Sequence, residues 1–327
     1  MSKKYKDQQF QNLRSTFDPI IALNNGGFFM NYSDGFIERG TGPIMKWDEL
    51  DLSKYKSITE TPRFDELTPF YNTDIFYQLD ETEKQNLYYD FARFNTEMFI
   101  FFEDLFSDGF KEAIALEKVS EKTKIAVNHL IDEERAHTEA FMSLILSEHQ
   151  LGWYYKNSVV RSKLIKKFAN WIVKNEPIAV LITGAKAEAF SVNYSKYLKK
   201  ICGSYDFNRH TQVHYLHLLD EVHHVPFQLD LYDEIMASAD GMKKARILLF
   251  TILFFILMQF VLLKSAFHMI SRSLTRLNIF NKIGLTLRMA SWTIKNFPPI
   301  RDSKEQIRQL IIRRGLKLAP IYQLLYR

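Results

Sequence analysis

Between Glu81 and Phe106 the chain passes twenty-six residues without a Gly or Pro, while apolar side chains return at helical spacing. A run of this length exceeds what a strand ordinarily sustains, and its period is that of a helix with one buried face. The whole chain leans the same way. Its 327 residues include only 12 Gly and 9 Pro against 27 Phe, and 46% are hydrophobic, so long helices with aromatic interiors are expected and a turn-rich β fold is not. The fold class read from this is all-α.

Four helices can be placed in order. The first covers Glu81 to Phe106, with "SDG" at Ser107 to Gly109 as its stop. The second starts at Ser120, a capping residue, and runs to about His149, ended by Gly152. The third spans Pro177 to Ile201, with Gly203 as terminator, and the fourth spans about Asn208 to Ala237. Four consecutive long helices suggest an antiparallel bundle over residues 81–240, and the connection of roughly 25 residues between the second and third is long enough for a crossover. Residues 1–80 hold "NNGG", "SDG" and "GTGP" and read as an irregular extension wrapped on the body. Residues 241–327 add a hydrophobic helix and basic C-terminal helices, broken at Pro298 and Pro299.

That hydrophobic helix holds seventeen uncharged residues, Ile247 to Leu263, between Arg246 and Lys264. It rises about 25 Å, at the lower limit for crossing a bilayer. A core or dimer-interface helix, a membrane-contacting helix and a true span are the three readings. Charge is also uneven: Lys264 to Arg327 carries 13 Lys and Arg against 2 Asp and Glu, a net +11, so an overall +5 leaves 5 − 11 = −6 for residues 1–263. A basic segment suits an acidic carrier protein, a ferredoxin or an anionic membrane, or is simply solvated. No recognition motif for nucleic acid accompanies it. The single Cys202 excludes an intramolecular disulfide and cysteine-based metal sites, and the N-terminus lacks the apolar stretch of a signal peptide, which together read as cytoplasmic.

The chemistry concentrates in "HLLDEVHH", residues 217–224. His217, Glu221 and His224 stand at offsets of 0, 4 and 7, on one stripe of a helix. The second helix holds "DEERAH", in which Glu134 and His137 are three apart. Two helices each bearing Glu-x-x-His match the ligand pattern of ferritin-like dinuclear carboxylate proteins, which add one Glu from each of the other two helices. The third helix offers Glu188, its only acid. The first offers Glu97 and Glu103, of which Glu97 fits better, lying well back from a helix end at Phe106 as Glu134 lies well in from its helix start. His129, Glu133 and His137 at i, i+4 and i+8, and His223 in place of His224, are alternatives. Such a donor set suits two iron ions, with manganese as the other option, better than zinc. His217 is a seventh candidate, either a ligand or a histidine that supports one.

With that third histidine, the order Glu, Glu-x-x-His, Glu, His-x-x-x-Glu-x-x-His resembles the AurF-type p-aminobenzoate N-oxygenase family, over roughly residues 80 to 240. The resemblance implies a ferritin-like four-helix bundle and seven metal ligands: Glu97, Glu134, His137, Glu188, His217, Glu221 and His224. It implies a di-iron oxygenase that activates dioxygen and oxidises an amine nitrogen of a small molecule or carrier-bound substrate toward nitroso or nitro products. Electrons would come from an external donor such as a ferredoxin, and a homodimer is expected. Phe94, Phe101 and Phe190 are candidates for the pocket lining or for plain core. A fatty acyl hydroxylase or desaturase, a ferritin-like iron-binding protein and a membrane adaptor are the competing readings.

Overall fold

The structure is a computed structural model that describes residues 50–117, 119–148, 162–202, 208–221 and 223–314. Among these the chain is helical, with ten α-helices and no strand. The elements are α1 (Asp74–Gln78), α2 (Glu81–Leu116), α3 (Glu121–Ser147), α4 (Lys163–Asn175), α5 (Ile178–Cys202), α6 (Arg209–Glu221), α7 (His224–Ser238), α8 (Gly241–Ser273), α9 (Ile279–Asn296) and α10 (Pro298–Arg314).

Helix starts follow local chemistry. Asp80 caps α2 through a capping box with Glu83, Ser120 Oγ accepts from Thr123 N at the head of α3, and Asp240 accepts from Lys243 N at the head of α8. Each side chain satisfies an N–H that the first turn leaves without a carbonyl. Pro298 opens α10, where its missing N–H costs nothing.

Three boundaries differ from the sequence expectation. First, α2 does not stop at "SDG" but runs through it to Leu116. Gly109 sits where α2 meets α5, and a Cβ there would come 3.2 Å from Val180 Cγ1. Close helix contact therefore offsets the roughly 1 kcal/mol that a mid-helix glycine costs. Second, the fourth helix is two, α6 and α7, parted around His223. Pro226 explains the break, because its ring opposes the carbonyl four residues back and it has no N–H to donate there. Third, the connection between α3 and α5 contains α4, whose Ile165, Ala169, Ile172 and Val173 form one buried stripe. The expected stops at Gly152 and Gly203 lie outside the described residues, as do the turns of residues 1–49 and the tail beyond Arg314.

Packing closes a circuit in which α2 touches α3 and α5, and α6 touches the same two. Buried aromatic residues line its interior, with Phe99 stacked on Phe141 at 5.4 Å between α2 and α3. Outside it, α7 and α10 lie on α5, while α8 packs on α2, α4, α5 and α9. Residues 50–80 are mostly short turns tied to the helices: Arg209 Nε donates to Leu52 O and Tyr55 O, and Ser57 Oγ and Ile58 N donate to the buried Glu148 carboxylate. The α10 brace is also polar, Ser303 Oγ donating to Ala189 O at 3.0 Å.

Gly109→Val should overfill the α2/α5 contact and destabilise the protein by about 1–3 kcal/mol. A lowered thermal midpoint, with helical content retained at low temperature, is the expected reading by circular dichroism.

Candidate metal centre

Seven donors from five helices meet inside this circuit. Glu103 comes from α2, Glu134 and His137 from α3, Glu188 from α5, His217 and Glu221 from α6, and His224 from the first turn of α7. All seven are buried, none more than 2% exposed. The i, i+3 spacing on α3 and the i, i+4 spacing on α6 put each pair on one inward face. Gly184, one turn before Glu188, has no Cβ to displace Gln228, whose Oε1 would lie 3.0 Å from it. Gln228 Nε2 donates to Glu188 Oε1 at 3.4 Å.

The donors fall into overlapping groups. Glu103, His137, His217 and Glu221 form one; Glu134, His137, Glu221 and His224 form a second; Glu103, Glu134 and Glu188 form a third. Within each, the donor atoms lie within 4.8 Å of one another. Glu221 Oε1 is central, 2.9 Å from His217 Nε2, 3.1 Å from His137 Nδ1 and 3.1 Å from His224 Nδ1. Yet both carboxylate oxygens of Glu221 and both of Glu134 lack a well-directed hydrogen bond. Buried acceptors that converge without hydrogen-bond geometry are arranged as cation ligands are.

Each imidazole turns one nitrogen inward and holds the other outside. His137 Nε2–H donates to Asp220 Oδ2 at 3.2 Å, leaving Nδ1 for the cluster. His224 Nε2–H donates to Glu133 Oε2 at 2.9 Å, again leaving Nδ1 inward. His217 is reversed, its Nδ1 meeting Ser191 Oγ at 2.9 Å and its Nε2 facing Glu103 and Glu221. Such outer partners set the tautomer and the ring orientation of a metal-binding histidine. The two carboxylate braces meet at α3, which supplies the acid for His224 of α7 and receives from α6 the acid for its own His137.

Four carboxylates this close repel one another. Burial and the Glu103 charge push Glu134 up to about 7. Burial and the charges of Glu221, Glu134 and Glu103 raise Glu188 well above the carboxylate range. Burial also works to raise Glu103, but the facing Glu134, His137 and His217 outweigh it and hold Glu103 down to about 2. Burial opposes charged imidazoles, yet Asp220, Glu103, Glu134 and Glu221 around His137, and Glu221 and Glu134 around His224, lift both well above the usual histidine range. Two divalent cations would balance four carboxylates, and neutral imidazoles complete the set, so the residues fit a dinuclear site.

Glu97 does not join the cluster. Its Oε1 accepts from Arg93 Nε at 2.7 Å, and it lines a small cleft between α2 and α8 with Asp90, Phe94 and His268. Glu103 takes the expected place, and the reason is the helix end. With α2 ending at Leu116, Glu103 lies thirteen residues back, as Glu134 lies thirteen residues into α3. The six remaining expected residues are brought together as anticipated, His217 among them. His129 and His223 stay outside, and Glu133 serves as an outer partner. Phe101 and Phe190 lie against the hydrophobic core, while Phe94 borders the Glu97 cleft. Sequence reasoning missed Asp220, Glu133, Ser191 and Gln228 as supporting groups. The only signal was the doubling of acids, "EE" at 133–134 and "DE" at 220–221, in which neighbours 100° apart face inward and sideways.

No family model matches the sequence, and no curated protein matches it significantly.

A divalent cation entering this site displaces protons held by His137, His224 and Glu134. Uptake should therefore release protons and tighten as pH rises from about 6 to about 8, a dependence that titration calorimetry in buffers of different ionisation enthalpy measures. Asp220→Asn and Glu133→Gln should each weaken binding by about 10–100-fold while leaving the helical spectrum unchanged.

Proposed function

We propose that the chain is a ferritin-like di-iron oxygenase of the p-aminobenzoate N-oxygenase type, oxidising an amine nitrogen of a small or carrier-bound substrate. One observation carries the reading: three buried imidazoles, each braced from outside, point into four carboxylates contributed by separate helices. The circuit of α2, α3, α6 and α5 supports the ferritin-like part, and His217 supports the N-oxygenase part, because six donors suffice for the simpler bundle sites. Two iron ions are the proposed cofactor, manganese being the alternative metal.

Held by Glu103, Glu134, His137, Glu188, His217, Glu221 and His224, two ferrous ions would supply the electrons that activate dioxygen for transfer to an organic substrate. The protein's own part is positional. Asp220, Glu133 and Ser191 hold the imidazoles in register, so that the inward lone pairs are in place beforehand. Phe99 and Phe141 stand beside His217, at 5.9 and 4.8 Å between ring centres, and exclude water from that side. Gln228 orients Glu188, a carboxylate that burial and its neighbours' charges dispose to hold a proton beside the reacting groups. An external donor, for which an acidic ferredoxin is the candidate, would return the electrons in a cytoplasmic setting.

One observation favours a second reading, hydroxylation or desaturation of an acyl chain: the long apolar α8 packs directly on α2 and α5, two of the donor-bearing helices. The iron-loaded chain should bind about two irons and consume dioxygen with an aromatic amine, giving hydroxylamine or nitroso product. Oxidised acyl product instead would select the second reading, and folded protein that retains no metal would refute both. Glu103→Ala should lose iron, whereas Glu97→Ala should retain it; the reverse pattern in metal analysis would restore Glu97 as the ligand.

A further inference from the structure

The helices outside the centre present a surface that neither a core nor a solvated face explains. α8 is long and apolar enough to cross a membrane, yet only 33% of its most apolar window is buried. One side, including Ile247, Thr251, Phe254 and Val261, is packed on the protein, so α8 lies along the body rather than leaving it. The other side exposes Ile256 and Phe260, each more than half exposed. The two helices packed beside α8 also expose large apolar residues, Phe280 and Leu287 on α9 and Leu164 and Trp171 on α4. Trp171 stacks on Phe250 of α8 at 5.2 Å, which joins the α4 and α8 rows.

Charge is the second feature. α4, α8 and α9 carry four, five and three Lys or Arg respectively and no Asp or Glu. Three of these twelve meet acids from other elements, Lys243 with Glu117, Arg246 with Glu176 and Arg272 with Asp90. The other nine have no acidic partner among the described residues. The segments outside those residues add no net negative charge: residues 1–49 hold six Lys or Arg and six Asp or Glu, residues 149–161 and 315–327 hold only basic ones, and residues 203–207 add the single Asp206. A second copy seated symmetrically would set the same basic residues against themselves.

We propose that this face docks on an anionic lipid bilayer, as a monotopic surface with α8, α9 and α4 lying in the interface plane. Aromatic and aliphatic rows inserted below the headgroups, with lysines and arginines beside them, are the combination that anionic lipid recognises. The seventeen uncharged residues between Arg246 and Lys264 measure about 25 Å along the axis, so both charges can reach headgroups while the row between them is immersed.

Flotation of the full-length chain with vesicles tests it. Binding is expected to phosphatidylcholine vesicles containing about one third phosphatidylserine, with weaker binding to pure phosphatidylcholine and at high salt. Phe260→Glu combined with Leu287→Glu should reduce binding about tenfold or more, with the circular dichroism spectrum unchanged. Absence of flotation with folded wild-type protein would overturn the proposal. So would a dimer, seen by light scattering, that the same double variant splits into monomers, because the face would then belong to a second copy. Undiminished binding by a folded double variant would equally overturn it.

Discussion

Everything near the centre answers to one electrostatic problem, the confinement of Glu103, Glu134, Glu188 and Glu221 in a volume closed to water. A buried carboxylate without compensation costs several kcal/mol, and like charges in contact add to that. The protein distributes the load unequally. Glu103 is held down to about 2 while Glu134 is pushed up to about 7, although both sit in the same cluster. Groups whose proton affinities are driven this far apart at contact distance are a mark of sites built for cations or proton transfer.

The scaffold answers that strain with rigidity around the cluster. Outer partners fix all three imidazoles, and those partners belong to helices other than the one bearing the histidine they hold. The braces thereby tie α3 to α6, α3 to α7 and α5 to α6. The break before α7 serves the same end. A proline inside a helix ordinarily weakens it, but here Pro226 allows the chain to turn just after Glu221, and His224 still faces Glu134 at 3.3 Å and Glu221 at 3.1 Å. Farther out, α10 holds α5 beside Glu188 through Asn193 and Ser303.

The outer helices follow a different logic. α8 uses its buried side to cover α2 and α5, and between Ile247 and Leu263 its other side carries none of the charges a solvated helix would. The same helices therefore support the centre from behind and leave apolar side chains exposed in front. Arg93 and Glu97, the buried ion pair beside α8, lie between these two roles.

Much of the centre is legible in the sequence. Helical periodicity, the two Glu-x-x-His pairs and the lone acid of α5 are local patterns, and a helix of 3.6 residues per turn carries them to one face wherever it is placed. The signal for the α6/α7 break is also local, since Pro226 stands three residues past His223. What local pattern could not decide was where "SDG" would matter. A glycine read as a stop became a contact with Val180, α2 grew by ten residues beyond Phe106, and the inward acid moved from Glu97 to Glu103. The braces at Asp220, Glu133 and Ser191 were equally hidden. Sequence by itself determined which residues share a helix face, because neighbours along the chain set that; the tertiary structure alone decided which faces meet, because contact between helices is a property of residues tens of positions apart.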